Sequence, residues 1–302
     1  MLFCVFVFGA NAAMVPDLTV ALQNTYIACV DIDDNLHDLK VLAGVNTAVT
    51  AVGTGLGVGA VATGFGKAST DKEIEELEKE LIRLSDEYDG PEPSHADRQA
   101  FLQECEEYET LHEKDTLDKI EELTKKSKKL GNWRTGLLAG NTATNIAGAI
   151  IASKTINKDD IKGQISACIS ATKELNEAII AAKVSGEDIG EAKQIYEACR
   201  EYEYVDISPI NNRGKGALIS ASVGAGLGGV GTVTSAIANT DKTRNDNTDE
   251  GKKKEKNLNT ASNVLAVGAT AASATATVFN ATQIAAIKKV AKVSSNCTGV
   301  LK

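Results

Sequence analysis

The residue types in this chain best able to do chemistry are its 6 cysteines, and their spacing sorts them into groups. Cys29 and Cys168 bracket one pair of long uncharged stretches, and Cys199 and Cys297 bracket a second pair. Cys105 lies inside a charged segment between the first two stretches, and Cys4 lies in an apolar N-terminal segment. Disulfides persist only in oxidising compartments. Four cysteines outside the apolar stretches and one between them therefore predict exported, disulfide-bonded flanks and a reduced Cys105 on the other side. Four cysteines allow three connectivities. The repeated order of cysteine, apolar, charged, apolar, cysteine favours Cys29–Cys168 and Cys199–Cys297; the rival pairs Cys168 with Cys199 and Cys29 with Cys297. Four buried free thiols in a cytosolic protein remain the alternative, as free cysteine is a common core residue.

The other reactive patterns lead nowhere. Gly224-Ala-Gly226-Leu-Gly228-Gly229 matches the glycine fingerprint of dinucleotide folds, but no second strand ending in an acid follows within residues 239–256. Gly59 to Lys67 resembles a phosphate loop with the wrong spacer and with Ala68 where a hydroxyl is required. His37, His95 and His112 form no metal spacing with cysteine or carboxylate. Glu75-Glu76, Glu106-Glu107 and Glu121-Glu122 sit in charged helical patterns, where adjacent carboxylates form a solvated face. No nucleophile, base and orienting group can be assembled, so no catalytic residue, metal or cofactor is expected, and the chain reads as non-enzymatic. Asn280-Ala-Thr282 and Asn296-Cys-Thr298 are glycosylation sequons, meaningful only in a eukaryotic secretory pathway.

The elements that carry the cysteines are more informative. Val41–Gly66, Thr135–Ser153, Gly216–Thr240 and Asn257–Ile287 contain no charged side chain in a chain that is 24% charged. About 20 uncharged residues is the length of helix that crosses a bilayer. The stretches carry glycines one helical turn apart: Gly53 and Gly57, Gly136 and Gly140, Gly224 and Gly228. In lipid such small-residue faces let helix backbones approach closely. The same glycines, threonines and asparagines make each stretch marginal as a lone span, so stability must come from packing the stretches on one another.

The fold expected is all-α: two duplicated Gly/Ala-rich helical hairpins that span a membrane, plus an acidic antiparallel coiled-coil hairpin as an insert. Tyr26-Ile27-Ala28-Cys29 and Tyr196-Glu197-Ala198-Cys199 open the two copies. The first copy is read as residues 14–168 with the insert at 67–134, the second as 169–302 with a short charged insert at 241–256. Residues 1–13 resemble the end of a secretory signal peptide without a basic start. The first insert opens on Thr70-Asp71-Lys72-Glu73, a capping-box pattern. Its seam then follows the 3-4 spacing of Ile74, Leu77, Leu81 and Leu84. The short insert at 241–256 has no seam and predicts a flexible turn.

Charge completes the reading. The net charge is −9, and Lys67–Arg134 alone holds 12 basic and 20 acidic residues, or −8, so phosphate-driven nucleic-acid binding is excluded. Lysine and arginine are more numerous beside the inserts than beside the flanks, which places the inserts in the cytoplasm and the flanks outside. The function expected is a membrane scaffold or assembly component. Its partners would be the lipid bilayer and a protein bound through residues 67–134, or a second copy of the chain. A secreted membrane-inserting or pore-forming protein and a soluble helical binding module are the alternatives.

Overall fold

The computed structural model describes residues 17–87, 98–156, 160–244 and 248–302, with side chains described for these except 84–87, 98–113, 160 and 249. The signal-like residues 1–13 and the side chains of Leu84 and Cys105 lie outside that description. Every regular element is helical. In chain order these are α1 (Leu18–Cys29), α2 (Ile32–Glu87), α3 (Arg98–Ile156), α4 (Asp160–Ser185), α5 (Gly190–Cys199), a 3-10 turn (Arg200–Tyr204), α6 (Ser208–Ala238), α7 (Asp241–Arg244) and α8 (Asp249–Leu301).

Local chemistry sets most of the boundaries. The Asp17 carboxylate accepts from the Thr19 amide at 2.7 Å and caps α1. Asp33 and Asp34 occupy the first turn of α2, where the helix dipole favours negative charge. Helix α4 stops at Ser185-Gly186, because Gly186 adopts φ 81°, a left-handed conformation that glycine takes without a Cβ penalty. Asp206 accepts from the Ser208 amide at 2.9 Å at the start of α6, and this bond holds its carboxyl below the usual carboxylate range.

Two expected boundaries are absent. Helix α2 runs without a break from Ile32 to Glu87, and the Thr70 hydroxyl donates back to the Gly66 carbonyl at 3.0 Å in place of capping a new helix. A capping box needs a chain arriving from a non-helical residue, and no proline interrupts α2 to provide one. Residues 249–256, expected in a flexible turn, instead form the first turns of α8. There the Thr248 hydroxyl accepts from the Gly251 amide at 3.1 Å, and the lysines that follow are good helix formers.

The chain divides into two compact units, each drawing on both sequence halves. Among the described residues, the first comprises 17–46, 151–156, 160–216 and 279–302. Its interior is conventional: Ile32, Leu36, Leu39, Ile165, Leu175, Ile195, Ile287 and Val290 surround the four flank cysteines and the fully buried Tyr202. The second comprises residues 47–150 and 217–278. Its apolar cluster among the described residues is small, Ala60, Leu138 and Ala266 with Val61 and Leu137 against them, and the other buried apolar side chains are mostly alanines such as Ala217, Ala221 and Ala269.

Among the described residues, three helical segments are long and apolar enough to cross a membrane: Leu18–Arg83, which includes α1 and most of α2, Ser208–Ala238, and Glu250–Leu301. Only 28% of the most apolar window in each is buried. Thr135–Ser153, the fourth uncharged stretch, is not among them. It lacks charge but carries Asn141, Asn145 and several Thr and Gly residues, and freedom from charge is not the same property as hydrophobicity.

Candidate functional site

The second unit has an inverted polarity. Its buried side chains are mostly polar: Lys67, Arg134, Asn141, Asn145, Ser235, Ser262 and Ser273 are all at most 1% exposed. Its large apolar side chains face outward, among them Val52, Val58, Phe65, Trp133, Val230, Val264 and Val278. A water-soluble bundle buries leucine and exposes lysine; along the uncharged stretches of this unit, valines face outward while asparagines and serines lie inside among alanines.

The interior polar groups are joined across helices. Asn141 Nδ2 donates to the Gly53 carbonyl at 2.8 Å, and Asn145 Nδ2 reaches Asn141 Oδ1 at 2.6 Å and Ser273 Oγ at 2.7 Å. Arg134 spreads its guanidinium over Ser235 at 3.0 Å, Asn263 at 2.9 Å and Asn259 at 2.9 Å. Ser262 donates to the Gly231 carbonyl at 3.1 Å. Near residue 70, Lys67 pairs with Asp71 and Glu255, and Ser127 donates to the other oxygen of Asp71. Buried polar atoms are costly unless hydrogen-bonded, and this network satisfies α2, α3, α6 and α8 reciprocally. Its contacts run from one helix to another and so join them.

The glycines lie along the same lines of contact. A Cβ added at Gly57 would collide with Asn141 and Thr270, one at Gly53 with Thr144, and one at Gly228 with the Thr142 hydroxyl. At Gly224 it would come within 2.9 Å of Asn145, and at Gly140 within 3.0 Å of Leu56. Gly136 meets open space.

The seam residues Ile74, Leu77 and Leu81 are half-buried on α2. Lys119 of α3 pairs with Glu73 of α2 at 3.4 Å, and Lys252 of α8 pairs with Glu78 at 3.1 Å. Both Glu75 and Glu121 are exposed and held below the usual carboxylate range, first by hydrogen bonds from Lys79 and Lys125. A general acid needs the opposite shift, so these glutamates fit a solvated surface.

In the first unit, Cys29 bonds Cys168 and Cys199 bonds Cys297. The sulfurs of Cys29, Cys168 and Cys297 lie within 4.8 Å of one another, so both disulfides share one buried core. His37 is exposed, and the side chains of His95 and His112 lie outside the described residues. The fingerprint glycines Gly224, Gly226 and Gly229 stand in the middle of α6, where the amides are committed to the helix and cannot cradle a phosphate.

Sequence reasoning missed the polar network. Its signal was visible as asparagines one helical turn apart inside uncharged stretches, Asn141 with Asn145 and Asn259 with Asn263. Comparison with protein-family models, curated proteins and solved structures finds no match.

Proposed function

We propose that the chain is a non-enzymatic membrane scaffold or assembly component. In this reading the second unit lies in the bilayer as a four-span bundle, built from two related hairpins and held together by glycine-backed polar contacts. The disulfide-bonded flanks are exported, and the acidic segment 67–134 is a cytoplasmic antiparallel coiled-coil hairpin that binds a protein partner or a second copy. The observation that carries the reading is the exchange of polarity in the second unit. Hydrocarbon favours apolar side chains outside and requires internal partners for polar ones, whereas water favours the reverse.

Fractionation combined with thiol mapping tests the proposal. The chain should stay in the pellet through carbonate extraction. Alkylation without reductant should leave the four flank cysteines unlabelled while Cys105 reacts. A soluble chain that later permeabilises liposomes would favour a secreted membrane-inserting protein in its place. A soluble chain that never binds lipid, or Cys105 found in a disulfide, would overturn the scaffold topology.

A further inference from the structure

A cavity of about 320 Å³ opens in the first unit between α2 and α8, lined by Lys40, Lys288, Lys292, His37, Asp33 and Ser295. The side chains come from matching faces: positions 33, 37 and 40 follow one another along α2, and 288, 292 and 295 do so along α8. Leu36 and Ala291 supply the apolar part of the lining. Three lysine side chains and one carboxylate thus line one space. The side chains of Lys40, Lys288 and Lys292 make no ion pair or hydrogen bond to another described residue, whereas Lys79 pairs with Glu75 and Lys125 with Glu121. Gathering three like charges is unfavourable unless an anion occupies the space between them.

We propose that this cavity binds a phosphate group, presented by the headgroup of an anionic phospholipid. An ammonium is a compact point charge suited to phosphate oxygens, and the His37 ring adds a donor at the rim. The volume is at the small end of ligand sites, suited to a headgroup but not to a nucleotide or a peptide. Placement along the helices adds a second argument, which rests on the membrane reading. Lys40 immediately precedes the uncharged stretch at Val41, and Lys288 immediately follows the one ending at Ile287. If those stretches cross hydrocarbon, both lysines emerge at the headgroup depth of the exported leaflet, within reach of lipid phosphates.

The experiment uses the full chain purified in a zwitterionic detergent, with bound lipid read by native mass spectrometry after incubation with phosphatidylglycerol or phosphatidylcholine. Phosphatidylglycerol should be retained in preference. Replacing Lys40, Lys288 and Lys292 together by Gln should weaken its retention on the order of a hundredfold, about fivefold for each lysine near a membrane surface. A charge-matched triple at Lys162, Lys183 and Lys193, which are exposed on the same unit away from the cavity, should leave retention unchanged. Helix content and both disulfides are checked in each variant, so that a folding defect is not read as lost binding. A parallel titration with inorganic phosphate separates the sources. Phosphate binding that needs the three cavity lysines while phosphatidylglycerol is ignored would keep the anion site, assign it to a soluble phosphate and count against the bilayer reading. Equal loss in both triples, or no lysine-dependent binding of either ligand, would overturn the proposal.

Discussion

A lysine placed on the outward face of the second unit discriminates between lipid and water more sharply than any substitution in its interior. Val52 is 58% exposed, and the uncharged stretch around it, Val41–Gly66, makes about 39 Å of helix at 1.5 Å per residue. Val52 therefore sits close to the midpoint of a span longer than the hydrocarbon core. Val230 is 57% exposed and lies two residues past the midpoint of Gly216–Thr240. On insertion scales valine contributes about −0.3 to −0.6 kcal/mol and a central lysine about +2.5 to +3.5, so Val52→Lys or Val230→Lys should cost about 3–4 kcal/mol. That is roughly a hundredfold to a thousandfold in the integrated fraction. In water the same exchange at an exposed helical site stays within about 0.5 kcal/mol. Leu117→Lys is the internal control, because Leu117 is 51% exposed on the part of α3 assigned to the aqueous insert. Carbonate-resistant pelleting should fall steeply for Val52→Lys and Val230→Lys and stay at the wild-type level for Leu117→Lys. If all three variants pellet and melt like the wild type, the outward valines do not face hydrocarbon and the inverted polarity needs another explanation.

Two further outcomes test the packing of each unit. Gly57→Leu should lower the melting midpoint in detergent by an amount equivalent to about 1–3 kcal/mol of overpacking, since the added side chain must displace Asn141 and Thr270. Gly136→Leu, with open space at its Cβ, should change it by no more than about 0.5 kcal/mol, and equal effects at both positions would refute the close-contact argument. Burial pushes the Tyr202 phenol up to about 12, an effect partly offset by the nearby Ser294 hydroxyl, which stands outside hydrogen-bond geometry, and reinforced by the Asp33 charge. A raised phenol stabilises the fold below the unfolded value of about 10 and loses that contribution as pH climbs to about 12, a drop of about 2–3 kcal/mol. Short denaturant titrations between pH 9 and 12 should show that drop in the wild type and its absence in Tyr202→Phe.

Helical architecture was legible because runs of Ala, Val, Leu and Gly free of proline admit little else. Helix continuity was not. The composition changes abruptly at Lys67, yet a backbone hydrogen-bond ladder responds to proline and to caps, not to a change from Ala to Glu, so α2 passes through the boundary. The network around Arg134 was hidden for a related reason. Arg134 is the last residue of the charged segment in sequence and reads as a surface group, but a turn of helix carries it inward to Asn259 and Asn263, more than a hundred residues away.

The glycines and asparagines that make each stretch a poor lone span have one explanation when taken together. In the proposed bilayer setting, lipid tails offer no hydrophobic drive to bring two apolar helices together, so association comes from close packing and hydrogen bonds. Each requires the other here. Gly57 leaves room for Asn141 and Thr270, Gly64 for Asn263, Gly131 for Asn239, and Gly224 for Asn145. With a Cβ at those positions the amide side chains could not seat between helices. Without the amides, the glycines would cost helix propensity and return only bare backbone contact. Pairing a missing side chain on one helix with a short polar one on the next lets Asn141 reach the Gly53 carbonyl and Asn145 reach Ser273. A bundle built this way gains its specificity from the residues that lower its hydrophobicity, and its helices become stable only as a set.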